Sequence, residues 1–294
     1  MGFLFAVDHG AEEVVDLPLG GSLPSVHPLA GYFPVTYPTG LLWNPYPSLL
    51  GLTDVWPKIF PPQMKKIKQE VLNEAMERVP ATSIGIVQSL PAPNIQPKKS
   101  SFSPVSPLLA LGLKTFAPLS EGTTLFTKPA LWSLFLPSHE TPAVLRGLLA
   151  QPLLWRLGLY TAFSLPETSQ ESDSKGVIDV HLLQALQKTN LTSCATVPSC
   201  LTLIYSQHHK ADLPQLKAWL LDLGKVGHQP PKLRHHRQFA YLTQGAALTS
   251  TSNPRLNSAV KNSNSSFDTF YLSFSNNGSG DLFFPNSTFQ QGRI

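Results

Sequence analysis

Apolar positions along this 294-residue chain follow a helical period in some segments and form short runs in others. Phe3, Val7 and Ala11 recur at four-residue steps, which predicts a first helix over residues 3–11. Similar spacing, together with start and stop signals, predicts further helices at residues 130–135, 141–159, 177–187 and 213–223.

The longest predicted helix, residues 141–159, has proline at two informative positions. Pro142 suits the first helical turn, where no backbone N–H is required, and Thr141 is the expected cap. Pro152 removes a hydrogen bond from the helix interior, so we expect it to kink or split the helix there.

Short runs of β-branched and apolar residues predict the strands. These runs lie at residues 13–16, 83–88, 123–126 and 267–274. Glycine and proline dominate residues 20–43, and proline and serine dominate residues 91–107, so both segments are predicted loops. Residues 249–266 are rich in asparagine and serine and are predicted to form a linker.

The amino-acid composition limits the kinds of molecule that the protein is expected to bind. Hydrophobic residues make up 42% of the chain, which permits a buried core, whereas charged residues make up only 14%, against about 25% in typical soluble domains. The net charge of +4 therefore reflects few acids rather than a basic surface. The densest basic runs, residues 65–68 and 233–237, lack interleaved aromatics, so no nucleic-acid partner is expected.

No segment predicts a membrane span or a targeting signal. The apolar stretch at residues 2–7 is short and meets Asp8 and His9 at once, unlike a signal peptide. The longest apolar stretch, residues 105–113, is interrupted by proline and lysine and is too short to cross a bilayer.

Two cysteines provide evidence on the cellular compartment of the protein. Cys194 and Cys200 either close a small loop in an oxidising compartment or remain two buried thiols, and both interpretations are open. Four N-x-S/T sequons are compatible with a lumenal setting. They begin at Asn190, Asn264, Asn277 and Asn286.

Asp16, at the end of a predicted strand, is the candidate metal ligand. It follows Glu12 and Glu13, but the next five residues carry no acid. Divalent ions at phosphate-transfer sites are held by one or two carboxylates and by the phosphates of the substrate. Asp16 is therefore a candidate residual ligand, and a capping or solvated aspartate is the other interpretation. A working site would need a second carboxylate nearby, for which Asp54 and Glu121 are the candidates.

Other catalytic chemistry has little support. His208–His209 and His235–His236 are adjacent pairs, and neighbouring side chains point apart, which disfavours a shared metal. No G-x-S-x-G or phosphate-binding G-x-x-x-x-G-K-[ST] motif occurs. The 16 Phe, 7 Tyr and 5 Trp residues are predicted to fill the core in preference to stacking on sugars.

Several blocks in sequence order resemble the STELLO-type glycosyltransferases. The first is GFLFAVDHGAEEVVD at residues 2–16, and the most specific is LRGLLAQPLLW at residues 145–155. Further similar blocks lie at residues 44–47, 56–61, 84–88, 115–119 and 131–137. Shorter matches are Gly158 with residues 162–163, and residues 218–219 with 222–223. The resemblance covers most of residues 1–233.

The resemblance implies an α/β fold, a nucleotide-sugar-transferase-like (GT-A-like) sandwich with proline-rich loops and an acidic metal-binding loop after a strand. It also implies a protein of the Golgi lumen or its membrane. On this basis residues 1–248 form the STELLO-like region, residues 249–266 the linker and residues 267–294 the start of a second region. The chain begins partway into the family's domain, so we expect an incomplete, N-terminally truncated sandwich.

This sequence departs from the family at its acidic motifs. Only Asp16 matches a run of aspartates, and a second acidic stretch is replaced by PAPNIQPKK at residues 91–99. Mg²⁺ or Mn²⁺ then has no evident site, although Lys98 and Lys99 could meet a diphosphate directly.

We therefore expect a catalytically impaired protein without a cofactor. It would act by binding a lumenal protein or a glycan through the aromatic-proline segment, residues 44–61, and the helix at residues 146–155. The alternative is an active transferase that uses Mn²⁺ or Mg²⁺ and a nucleotide sugar, with Asp16 as a ligand. A third hypothesis is a remnant that does not fold alone and exposes apolar surface.

Overall fold

A computed structural model describes residues 2–17, 29, 31–38, 40–66, 71–72, 77–90, 108–112, 114–119, 122–164 and 177–233. The strands in these residues are β1 (Glu13–Asp16), β2 (Tyr32–Pro38), β3 (Val71–Leu72), β4 (Arg78–Pro80), β5 (Ile84–Ser89), β6 (Leu108–Leu111), β7 (Thr124–Thr127) and β8 (Tyr160–Ser164). They form one mixed sheet in the order β1-β7-β5-β8-β6-β2-β3, and β4 also pairs with β2.

The α-helices of the same residues are α1 (Gly2–Asp8), α2 (Pro45–Leu50), α3 (Pro142–Leu157), α4 (Val180–Gln187), α5 (Val197–His208) and α6 (Leu213–Lys225). Short 3₁₀ helices lie at Met64–Lys66, Ala81–Ser83, Lys128–Leu134, Leu191–Ser193 and Lys210–Asp212. Helix α3 contacts β8, α4 and α5, so it lies between the sheet and these two helices.

Helix α3 is central to the core, and all its residues except Pro142 and Arg156 are buried. Gly147 allows close packing, since a Cβ there would lie 2.5 Å from Cγ of Leu119. Gln151 donates to the carbonyl of Ala117 at 2.7 Å and accepts from its amide at 2.9 Å. These contacts attach the irregular chain before β7 to the middle of α3.

The predicted elements are largely confirmed where they fall on described residues. The strand predicted at 13–16 has those bounds, and the other two shift by a single residue. The first helix ends at Asp8, before Gly10, whose φ of 77° lies in the left-handed region. The helix predicted at 130–135 is a 3₁₀ helix that begins earlier, at Lys128.

Two details of the longest helix correct the prediction. Helix α3 is continuous through Pro152, so proline does not split it. Thr141 occupies the N-cap position, but its side chain makes no capping hydrogen bond. It interacts instead with the ring of His139, which lies 3.1 Å from its hydroxyl.

Seven strands and α-helices of the described residues have no counterpart in the sequence prediction: β2, β3, β4, β6, β8, α2 and α5. Strand β8 lies in the interior of the sheet and every residue in it is buried. In α5, the run from Cys200 to Tyr205 is nearly continuous in apolar residues, which obscures its period. Strand β2 includes Pro34 and Pro38, which lowered its apparent strand propensity.

The α/β class is confirmed, and a mixed sheet covered by helices is consistent with a GT-A-like glycosyltransferase fold. No helix in the described ranges is both long and apolar enough to cross a membrane. The predicted linker at 249–266 and the strand at 267–274 lie outside the described residues, as does the second region at 267–294. The division of the chain at residue 248 stays a prediction.

Candidate functional site

One edge of the sheet collects the carboxyl ends of its parallel strands. β1 and β5 both pair antiparallel with β7, so they run in the same direction, and β5 pairs parallel with β8. β6 runs antiparallel to β8 and begins at the same edge. In open α/β sheets, ligands bind outside the carboxyl ends of the strands. This edge is therefore the candidate site.

A row of polar side chains crosses this edge. Asp16 pairs with Thr124, and Thr124 pairs with Gln88, so the three share one face of the sheet. The hydroxyl of Thr124 donates to Oε1 of Gln88 at 2.8 Å, and Nε2 of Gln88 donates to the carbonyl of Thr123 at 3.1 Å. Gln88 and Thr124 are almost completely buried. Their hydrogen bonds fix the row beside Asp16.

A second polar pair lies at the same end of β5 and β8. The hydroxyl of Ser164 donates to the hydroxyl of Ser89 at 3.0 Å, and both residues are buried. Thr123, also buried, has a hydroxyl without a hydrogen-bond partner in the described part of the chain. The sheet edge is thus polar but closely packed.

Arg146 on α3 reaches the same face of the sheet. Its Nη2 donates to Oδ2 of Asp16 at 2.7 Å, and its guanidinium carbon lies 4.7 Å from the ring centre of Phe126. The Arg146 side chain is 2% exposed, whereas that of Asp16 is 29% exposed. Burial lowers the pKa of Arg146, and the Asp16 carboxylate opposes that shift. Arginine stays charged at neutral pH.

A buried phenol and a buried carboxylate belong to the same helical layer as Arg146. Tyr205 and Asp212 are buried, and Asp212 accepts hydrogen bonds from the amide of Ser138 and from Nε2 of His209. Burial raises the pKa of the Tyr205 phenol, which Asp212 raises further and Arg146 lowers. Tyr205 is therefore neutral, and the charges of Asp212 and Arg146 act on it in opposite directions.

The described residues at this edge do not fit a divalent metal site. One oxygen of Asp16 already accepts from Arg146, and a cation placed there would face the buried guanidinium. Among the described ranges, no group of three or more His, Cys, Asp or Glu side chains is arranged to hold a metal ion. The assignment of Asp16 as a metal ligand stays a prediction.

The other candidate residues are not assembled around Asp16. Asp54 is exposed in the segment after α2, whereas Glu121, Lys98 and Lys99 lie outside the described residues. The rings of His208 and His209 have different partners, Thr189 at 2.7 Å and Asp212 at 3.0 Å. The pair therefore does not share a ligand, while His235 and His236 lie outside the described residues.

Two segments predicted to bind a partner are largely internal. The helix at residues 146–155 is buried throughout, and the aromatic-proline segment contributes Tyr46, Ile59 and Phe60 to the core. These residues are therefore unavailable as an exposed docking surface in this fold. Among the residues that the structure describes, most aromatic side chains fill the interior, as predicted, including Trp43, Trp132, Phe116 and Phe163.

The cysteines are joined. Cys194 and Cys200 form a disulfide bond that links the 3₁₀ helix Leu191–Ser193 to the first turn of α5. Nη1 of Arg156 lies 3.1 Å and 3.3 Å from their sulfur atoms. Of the two interpretations left open by the sequence, the structure has the closed loop.

The contact between Arg146 and Asp16 at this edge was not predicted from the sequence. The two lie 130 positions apart, and no local motif joins them. The available signal was indirect: Arg146 is the one charged residue in the largely apolar run at 142–155. A charge in such a run requires a partner when the helix is buried.

Comparison with known proteins identifies two relatives in Arabidopsis thaliana. Over 283 residues the chain is 28% identical to "Probable glycosyltransferase STELLO2", and over 281 residues it is 28% identical to "Probable glycosyltransferase STELLO1". Each alignment covers 79% of this chain and 36% of the relative. The resemblance to the STELLO-type glycosyltransferases is confirmed.

This chain therefore corresponds to about a third of the length of its STELLO relatives, since the alignments cover 36% of each. No family model matches the chain. Similarity to these two proteins supports a glycosyltransferase-like protein. The carboxyl edge with Asp16 and Arg146 is the part of this STELLO-like chain to which a catalytic test should be directed.

Proposed function

We propose that this chain is a catalytically impaired, STELLO-type glycosyltransferase-fold protein that acts by binding a lumenal protein in the Golgi. The observation that carries the proposal is the 2.7 Å ion pair between Asp16 and Arg146. This pair supports a structural role for Asp16 in preference to a catalytic one.

The electrostatics of transfer support this interpretation. Cleavage of a bond to a diphosphate leaving group develops negative charge, which a metal ion or cations must stabilise. A carboxylate neutralised by a buried guanidinium is a weak ligand for a divalent cation, because the two cations repel each other at short range. The charged residues at the carboxyl edge are therefore better suited to stabilising the fold than to binding a divalent metal ion.

The disulfide bond supports the proposed location in the lumen of the secretory pathway. Disulfide bonds persist in oxidising environments such as the secretory pathway and are rare in the cytosol. The Cys194–Cys200 bond is thus compatible with a lumenal protein. The relatives' names describe glycosyltransferases, and a protein that retains their fold without transfer activity would serve as a partner or scaffold of such enzymes.

The test is calorimetric titration of the full chain with UDP- and GDP-sugars, with and without Mn²⁺. Asp16→Asn, which keeps an amide oxygen for Arg146 but no charge, is compared with Asp8→Asn on the exposed surface of α1. We expect no metal-dependent binding of the nucleotide sugars by wild type, Asp16→Asn or Asp8→Asn. Cooperative unfolding in urea would show that each of these proteins is folded.

Metal-dependent binding that Asp16→Asn abolishes and Asp8→Asn retains would overturn the proposal. That result would favour the alternative, an active nucleotide-sugar transferase with Asp16 as a metal ligand. Non-cooperative unfolding of the wild-type chain would instead support a remnant that does not fold alone.

A further inference from the structure

A surface turn ahead of α5 carries a sequon in a favourable geometry. Asn190-Leu191-Thr192 begins after α4 and enters the 3₁₀ helix Leu191–Ser193. Asn190 and Thr192 are exposed, whereas the Leu191 side chain between them is buried. The apolar residue anchors the turn, and both functional residues of the sequon face solvent.

The two polar side chains are also hydrogen-bonded to each other. Oδ1 of Asn190 accepts from the backbone N–H of Thr192 at 2.9 Å and from its hydroxyl at 2.7 Å. This is an Asx turn, which the asparagine side chain forms with the backbone two residues on. Both contacts use the amide oxygen, so Nδ2 of the same amide takes part in neither.

We propose that Asn190 is an N-glycosylation site. Nδ2 of Asn190 attacks the anomeric carbon of a lipid-diphosphate-linked oligosaccharide. An N–C bond forms, the C–O bond to the diphosphate breaks, and the lipid diphosphate leaves with the bonding electron pair. Nδ2 loses one proton to solvent or to a base of the transferring enzyme. The inference rests on the lumenal location proposed above.

The neighbouring disulfide bond is an independent observation in favour of this site. Cys194, four residues after Asn190, is oxidised in the structure, and disulfide formation and N-glycosylation occur in the same compartment. The disulfide bond also holds the turn against α5, so the folded chain keeps Asn190 on the surface. The sequons at Asn264, Asn277 and Asn286 lie outside the described residues.

A purely structural role for Asn190 can be separated from modification. As the N-cap of a 3₁₀ helix, Asn190 needs only an acceptor oxygen. Asn190→Asp keeps that oxygen but has no amide nitrogen to modify, so it retains the turn and loses the site. Thr192→Ser keeps a hydroxyl and the sequon, whereas Thr192→Ala removes both.

The experiment expresses the full chain behind a cleavable signal peptide in eukaryotic cells. Endoglycosidase-sensitive shifts are read on gels, and glycopeptides by mass spectrometry. We expect Asn190→Asp and Thr192→Ala to lose one glycan relative to wild type, and Thr192→Ser to keep it. Thiol alkylation of Cys194 and Cys200 reports entry into the oxidising lumen.

An unmodified Asn190 in a chain whose cysteines are oxidised would overturn the inference. The added signal peptide directs the chain into the lumen, so this result would not depend on whether the proposed Golgi location is correct. The location is tested separately, by microscopy of the chain with its own N-terminus.

Discussion

Arg146 and Asp16 form a 2.7 Å ion pair that connects the middle of the helical layer to the edge strand of the sheet. The guanidinium is buried beside Phe126, and Asp16 is the anion against it. Removal of one partner from a buried pair leaves an uncompensated charge, which costs more than the pair itself contributes.

Asp16→Ala should therefore destabilise the chain. We expect a loss of about 2–4 kcal/mol in the free energy of unfolding, because Arg146 would be left buried without its anion. Asp16→Asn should cost less, since it keeps an acceptor for Nη2. Urea unfolding measures the effect. Asp8→Ala on the exposed face of α1 is the control, and an equal cost for the two alanine variants would contradict the prediction.

The coupling between the two residues can be measured directly. In a double-mutant cycle with Arg146→Met, the cost of Asp16→Ala should shrink, because no buried charge remains to be orphaned. We expect an interaction energy of about 1–3 kcal/mol from urea unfolding of the four proteins. Additive effects within about 0.5 kcal/mol would show that the pair is incidental.

Gly147 should not tolerate alanine. Its Cβ would lie 2.5 Å from Cγ and 2.9 Å from Cβ of Leu119, so helix and loop would have to separate. Overpacking of this kind costs about 1–3 kcal/mol. Gly224→Ala in α6 is the matched control, since no atom lies within 4 Å of its Cβ position. Thermal melts should show Gly147→Ala lowering Tm and Gly224→Ala leaving it unchanged or raised.

The disulfide bond should stabilise the C-terminal helices. Closure of a loop with a sequence separation of 6 restricts the unfolded chain and is worth about 2 kcal/mol in the chain-entropy model. We expect Cys194→Ala/Cys200→Ala to lower the free energy of unfolding by that amount. A reductant should reproduce the loss in wild type and leave the double variant unchanged. An effect of reductant on the variant would contradict this interpretation.

Stability should fall on mild acidification. Burial lowers the pKa of His208, and burial together with Lys128 lowers that of His228. Below the ordinary histidine pKa of about 6.5, the unfolded chain therefore binds protons that the folded chain does not, and the folded state loses stability as pH falls.

The measurement is Tm between about pH 7.5 and pH 5.5, a window that spans the ordinary histidine pKa. His208→Gln/His228→Gln should reduce the acid-dependent loss, whereas His181→Gln on the exposed face of α4 should not. If the pH dependence of Tm were unchanged in the double variant, the loss of stability in acid would have to come from titratable groups other than His208 and His228.

The sequence predicts elements best where local chemistry is unambiguous. Pro142 marks the start of α3, and Pro214 lies in the first turn of α6. The strands β1, β5 and β7 follow short β-branched or apolar runs. Strand β8 has no predicted counterpart because every residue in it is buried, which removes the alternation that periodicity detects. Helix α5 is buried on one face only, but its nearly continuous apolar run from Cys200 to Tyr205 obscures the helical period.

The sequence by itself determined the α/β class through its resemblance to the STELLO-type proteins. It also determined the ends of several elements and the absence of acids in the five residues after Asp16. Tertiary structure decided what Asp16 contacts. The sheet order brings β1 next to β7, and the Arg146 side chain of α3 reaches Phe126 and Asp16 on these strands, so a residue 130 positions away becomes the counter-ion. Sequence periodicity reports which face of an element is buried, but the partner across that face depends on how distant elements pack.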